Sequence, residues 1–209
     1  MKLYTKSLVM SFLAIGIMGC DLEDPIESTV TQYAEFEVTG GPYLYVDLGS
    51  SFEDPGVIAT AGENVLDVEI SGTVDTSTPG VYILEYSAVN EDGFPATTTR
   101  YVAVGDQEVA FGRDLSGTYF TGTRTNTVTQ IQPGYYLNSD TLPNNSISVF
   151  MVDLGNGNLI IPPQSSRFGT VAADPSRFPD SFATLDSPTS FTIAQFISCC
   201  GIFTRTFSM

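Results

Sequence analysis

The chain has 209 residues and a formal net charge of −16, and it contains no histidine and no tryptophan. The missing histidine excludes Ser-His-Asp and Cys-His nucleophile arrangements, histidine-ligated zinc and histidine general bases. With eight basic residues against twenty-four acids there is no basic face to displace counterions from phosphates, which excludes nucleic acid as a partner and direct adsorption to an anionic membrane.

Met1–Lys6 carries two lysines, Ser7–Met18 is an apolar run of twelve residues, and the small residue Gly19 precedes Cys20. Charged, apolar and small-residue regions in this order make a processing signal over residues 1–19, too short to span a bilayer as a helix. Ile17-Met18-Gly19-Cys20 resembles the lipobox of bacterial lipoproteins. The resemblance implies that Cys20 is acylated and becomes the first residue, so that the membrane is reached through a lipid anchor. Asp21, Glu23 and Asp24 look like the acidic surface-export signal of Bacteroidetes lipoproteins, which implies an outer-membrane protein facing the cell exterior. Residues 20–32, mostly acids, Pro, Ser and Thr, read as an acidic flexible tether.

From residue 20 onward the chain has six arginines and no lysine. Residues 20–105 hold sixteen acids and one arginine, whereas residues 106–209 hold eight acids and five arginines. This step in charge places a domain boundary near Gly105.

Residues 33–105 read as short strands broken by turns. Tyr43–Leu48, Val65–Ile70, Val81–Tyr86 and Thr97–Val104 are rich in β-branched and aromatic residues. Turns fall at Glu53–Gly56, Thr76–Gly80 and Asn90–Gly93, where proline fixes φ and glycine permits positive φ. Over Val65–Ile70, alternation sends Val65, Asp67 and Glu69 to one face and Leu66, Val68 and Ile70 to the other.

The stretches "FEDPGVIA" and "VEISGTVDTSTPGVYILEYSAVNEDGFPATTTRYVAV" resemble the immunoglobulin-like modules of bacterial surface proteins, of the kind related to hyalin-repeat and PKD domains. The resemblance implies a seven-stranded β-sandwich acting as a spacer or adhesion module. Asn90 stands where an aspartate is usual, and Phe94 where an asparagine often follows the glycine. Tyr82 is read as a core or corner tyrosine. Glu53, Asp54, Glu91 and Asp92 are read as solvated turn acids, because the twelve-residue loop of a dedicated calcium site is missing; no metal and no cofactor is expected.

Residues 113–209 are also strand and turn, giving an all-β protein whose second domain is an antiparallel sandwich or small barrel. Gln132-Pro133-Gly134 joins Asn126–Ile131 to Tyr135–Leu137, and Gly155-Asn156-Gly157 joins Ile147–Val152 to Asn158–Ile161, both as hairpins. "LSGTY", "VTQIQPGYYLNSD" and "CCGIFTRTF" look like the C-terminal domain of two-domain Bacteroidetes lipoproteins, which implies a β-rich domain of no assigned activity, often met beside glycan-uptake proteins.

Residues 165–185 read as a long loop holding a near-repeat, Arg167-Phe168-Gly169 and Arg177-Phe178-Pro179. Long loops are commonly binding elements. With Tyr135, Tyr136, Asn138 and Asp140, the residues Arg167, Phe168, Arg177 and Phe178 form the candidate ligand platform, the rings stacking on sugar faces. The competing reading packs these rings into a core that lacks tryptophan. If Cys20 carries lipid, Cys199 and Cys200 remain as an adjacent pair, either a vicinal disulfide or two buried thiols.

No pair of acids stands out for two-carboxylate chemistry, so no catalytic residue is assigned and the chain is read as a non-enzyme. The function that follows is a surface lipoprotein whose Ig-like spacer presents a β domain to a glycan or an outer-membrane protein, accessory to polysaccharide uptake. The alternative is a structural or assembly subunit of an outer-membrane transporter or adhesin with no small ligand.

Overall fold

Most strands here are apolar on one face, but a few are apolar on both, and these lie where two β lobes meet. The computed structural model describes residues 30–142 and 147–209. The signal segment 1–19, Cys20 and the acidic stretch to residue 29 lie outside the described residues.

The first lobe has seven strands: β1 (Glu35–Val38), β2 (Tyr43–Asp47), β3 (Val57–Ala61), β4 (Asn64–Leu66), β5 (Glu69–Ser71), β6 (Gly80–Val89) and β7 (Pro95–Gly105). They form two sheets, β1-β3-β4 and β2-β7-β6-β5, with β2 parallel to β7. The stretch Val65–Ile70, expected as one strand, is divided, because the chain changes sheet at Asp67-Val68. Val68 turns into the core, while Val65 and Ile70 stay exposed, so the expected alternation ends at this corner.

Leu84, Tyr86 and Val102 are buried between the sheets, with Leu44, Val46 and Tyr82 packed against them. Arg100 is fully buried beside them. Its guanidinium pairs with the Asp54 carboxylate, donates to the carbonyls of Thr39 (2.6 Å) and Gly56 (3.1 Å), and lies 5.6 Å from the Tyr86 ring centre. The Tyr86 hydroxyl donates to the other Asp54 oxygen at 2.8 Å. Burial, together with this carboxylate, pushes the Tyr86 hydroxyl up to about 12. Asp54 is therefore the counter-ion of a buried arginine, which corrects its reading as a solvated turn acid; removing either partner would strand the other's charge. Asn90 accepts from the Phe94 amide and donates to the Gln32 carbonyl, both at 2.7 Å. A carboxylate at position 90 could accept the first bond but not donate the second.

A short helix, α1 (Gln107–Phe111), capped by Asp106, leads into the second lobe. Its nine strands are β8 (Gly117–Thr121), β9 (Arg124–Gln132), β10 (Tyr135–Asn138), β11 (Val149–Asp153), β12 (Asn158–Ser166), β13 (Gly169–Ala173), β14 (Phe182–Ser187), β15 (Ser190–Ile197) and β16 (Gly201–Ser208). Both expected hairpins form, β9–β10 and β11–β12. The sheet closes, since β16 pairs with β8 and β11 with β12.

The barrel has eight strand positions. β13 and β14 share one of them: β12 pairs with β14 at Asn158 and Leu159 and with β13 from Ile161 onward, and β15 pairs with both in the same way. The expected loop 165–185 is thus about half strand, with Asp174–Ser181 remaining a loop. Its apolar Val171–Ala173 belongs to the barrel wall, and Arg167-Phe168 is the tight β12–β13 turn, closed by Gly169 at φ +89°. A closed sheet of this size is filled by inward side chains; here Tyr119, Tyr136, Met151, Phe191, Ile193 and Phe207 are among them.

The lobes meet through outward residues of the barrel and one face of the β2-β7-β6-β5 sheet. Tyr135, Val152, Leu154 and Ile160 pack on Val81 and Ala103, with Tyr43, Tyr45, Tyr101 and Phe150 around them. The even-numbered neighbours Leu44, Val46, Val102 and Leu84 serve the first lobe's own core, so these strands are buried on both faces. Polar contacts fix the position. The Tyr45 hydroxyl donates to the Asp153 carbonyl (3.0 Å), the Asp106 amide to the Leu154 carbonyl (2.9 Å) and the Gln107 amide to the Asp47 carboxylate (3.0 Å). Residues 32–209 accordingly form a single compact unit.

Gly105 serves a close approach of the two lobes. A Cβ on Gly105 would overlap the Leu154 carbonyl oxygen and sit 2.7 Å from the Tyr45 hydroxyl. Gly105→Ala should therefore cost about 1–3 kcal/mol in chemical denaturation. Gly80→Ala, whose Cβ would meet only the Tyr82 ring at 3.8 Å, should be close to neutral. Equal stabilities for the two variants would contradict this packing.

Asp153 is fully buried; one carboxylate oxygen accepts from Arg113 and the Gly155 amide, both at 2.8 Å, while the other has no partner among the described residues. Burial raises its pKa above 3.8, with the Gly155 amide and Arg113 opposing. The folded state therefore takes up this proton before the unfolded state does, and this group favours folding as pH falls through the raised value. The sign is opposite for Asp75 and Asp114, whose pKa values are lowered by hydrogen bonds from Ser77 and Ser116; their contribution is present above the unfolded value and is lost as pH falls through the folded one. A carbon-detected NMR titration should place the Asp153 midpoint above 3.8, and Arg113→Gln should move it higher still. A downward movement in Arg113→Gln would contradict the assignment.

Candidate functional site

Tyr135 and Tyr136 are adjacent on β10, so alternation points them in opposite directions. Both are fully buried. The Tyr135 ring lies 5.3 Å from that of Tyr43 in the junction; its hydroxyl donates to the Leu44 carbonyl and accepts from the Ala103 amide at 3.0 Å. Burial pushes this hydroxyl's pKa up, with the Ala103 bond opposing. Tyr136 points into the barrel, donating to the Arg113 carbonyl (3.1 Å) and accepting from Gln130 (3.3 Å). Neither ring is open to a sugar face.

The other platform residues are dispersed. Asn138 is buried and accepts from Asn126, and Asp140 caps its own turn by accepting from the Leu142 amide at 3.2 Å. Arg177 pairs with Asp174 and reaches the Val81 carbonyl at 3.3 Å, bracing the junction, while Phe178 stacks on Phe196 at 4.5 Å. Arg167 lies over the Phe168 ring, 5.0 Å from its centre. Of the eight platform residues, Phe168 alone lines the cavity at the open end of the barrel.

Strand direction shows which end this is. The β9–β10 turn and the β11–β12 turn face the first lobe: a Cβ on Gly134 would meet the Tyr45 ring at 3.0 Å, and one on Gly155 would overlap the Asp106 carbonyl. Because neighbouring strands are antiparallel, the β12–β13 and β15–β16 turns lie at the opposite end. There a cavity of about 160 Å³ opens between Leu142, Phe168, Ile197, Phe203, Arg205 and the Cys199–Cys200 disulfide. The adjacent cysteines are joined in the β15–β16 turn, where the Cys200 amide donates to the Ile197 carbonyl at 2.9 Å.

Two polar side chains lie on the inward parity of β15 and β16 at this end, Arg205 in the cavity wall and Gln195 behind it. Phe191, Ile193 and Ile197 are core residues, and Gln195 falls on the same face, directly opposite Phe203. Gln195 is 1% exposed, yet neither its amide nitrogen nor its oxygen has a hydrogen-bond partner among the described residues. Arg205 faces inward between Phe203 and Phe207, with its Nε buried and likewise without a partner. Buried polar atoms are ordinarily satisfied, so such a cluster marks a place where something else supplies the bonds. Gln195, Phe203 and Arg205 were not among the residues expected from sequence. The legible signal was a glutamine and an arginine on the apolar parity of FTIAQFI and GIFTRTF. Among the described residues no group of acids or cysteines is placed to hold a metal ion.

No curated protein matches this chain. Among solved structures, the lipoprotein BT2262 from Bacteroides thetaiotaomicron is similar at 23% identity, with 85% of this chain and 100% of that chain covered and a TM-score of 0.39. Residues 36–104 match the model of the family described as bacterial surface protein, Ig-like domain, and the first lobe is accordingly an Ig-like domain of that kind.

Proposed function

We propose that this is a non-catalytic lipoprotein of the cell surface, lipid-anchored through Cys20 in the outer membrane and facing outward, in which the Ig-like lobe is a rigid mount for a ligand-binding barrel. The observation that carries this reading is the barrel mouth: an apolar cavity lined on one side by Arg205, with the buried, unsatisfied Gln195 paired opposite its wall residue Phe203, at the end turned away from the mount. Concave, mostly apolar sites with a few convergent polar groups are the usual form of a ligand site. Glycan remains within this reading, with Phe168 and Phe203 rather than Tyr135 and Tyr136 as the rings available for stacking.

A second reading, an assembly subunit docked on an outer-membrane transporter, draws on Ile131 and Leu137, which are exposed on the outer wall of neighbouring strands β9 and β10.

The test is an NMR screen of the full chain against small-molecule fragments and oligosaccharides. Hits should shift amide resonances of Leu142, Phe168, Ile197 and Phe203. Hits gathered on Ile131 and Leu137 instead, with the mouth unmoved, would favour the assembly reading and overturn this one.

A further inference from the structure

Resting on the reading of the mouth as a ligand site, we infer that its ligand is a small carboxylate with a compact apolar body. The cavity's size limits the body: about 160 Å³ is close to the space that holds a single benzene ring. Its walls, Leu142, Phe168, Ile197, Phe203 and the disulfide, favour a ring or branched aliphatic group over a chain of hydroxyls.

The polar end is set by Arg205. Its guanidinium remains charged at any physiological pH and offers donors in a planar fork that matches a carboxylate. Three other arginines among the described residues hold a carboxylate within the chain, Arg100 on Asp54, Arg113 on Asp153 and Arg177 on Asp174, whereas Arg205 faces the cavity with no acid beside it. Arg205 is half-buried with its Nε shielded from water, and an anion entering the mouth would give this charge a counter-ion. Gln195, on the adjacent strand and the same inner face, stands opposite the wall residue Phe203 with both amide atoms unpartnered among the described residues, a donor and an acceptor next to the cavity. A cation is disfavoured by Arg205, and a neutral ligand leaves its charge unpaired.

The experiment uses the full chain and three probes of one shape: benzoate, benzamide and benzylamine. NMR titrations follow the Arg205 Nε–H and the Gln195 side-chain amide. Benzoate should move both, at least tenfold more tightly than benzamide, with benzylamine inert. Arg205→Gln should abolish the preference for benzoate, and Arg205→Lys should retain part of it. Should Arg205→Gln fail to fold, the comparison of the three probes on the unaltered chain decides the question alone. Equal midpoints for benzoate and benzamide would overturn the carboxylate assignment while leaving the mouth a ligand site. If no probe moves either group, the carboxylate assignment and the reading of the mouth both fall.

Discussion

The architecture depends on one sheet being buried twice. β2, β7 and β6 give Leu44, Val46, Val102 and Leu84 to the core of the Ig-like lobe, and give Tyr43, Tyr45, Tyr101, Ala103 and Val81 to the barrel. Neither lobe can shed its partner without exposing the far face of this sheet to water. Burial of that size dominates the energetics of association, and the hydrogen bonds fix the position. The Tyr135 hydroxyl shows both at once: its ring lies in the apolar junction and its oxygen joins the backbones of the parallel pair at Leu44 and Ala103.

From that constraint the position of the mouth follows. An antiparallel barrel has two ends; here the β9–β10 and β11–β12 turns are pressed against the mount, so among the described residues the other end is the one the first lobe leaves uncovered. The side chains filling the barrel are apolar through most of its length, and polar groups gather near the open end, at Gln195 and Arg205. A site of this kind needs walls that do not collapse. Closure of the sheet supplies them, and the Cys199–Cys200 link ties the turn that forms one side. On the proposed function the division of labour is a matter of geometry: the mount sets direction and the barrel supplies chemistry.

Much of the fold was legible in the sequence. Alternating β-branched segments and glycine-marked turns located β2, β6 and β7 of the first lobe, though not β1, β3 or the break between β4 and β5, and Gln132–Gly134 and Gly155–Gly157 marked two hairpins that form. The near-continuous apolar runs YLYV and YVAV carried a signal that went unread, since a half-solvated strand would alternate and these are buried on both faces. What misled was the reading of rings as a surface. Tyr135 and Tyr136 look like a pair in sequence, but successive strand residues face opposite ways, so the pair was divided between junction and core. The split position of β13 and β14 has no local signature: Asp174–Ser181 carries loop residues, and only the pairing of β12 with both neighbours shows that the chain steps outward and returns to the same place in the wall. Arg205 was overlooked because an arginine in a strand ordinarily faces water; its parity with Phe203 and Phe207 was the available clue.

The central claim is that mount and barrel are one rigid body, and residual dipolar couplings of backbone amides in the full chain test it most directly. The account predicts that couplings from residues 35–105 and from residues 117–208 fit a single alignment tensor with the same magnitude and axes. Two tensors of different magnitude, one for each lobe, would show the lobes moving independently and would contradict it.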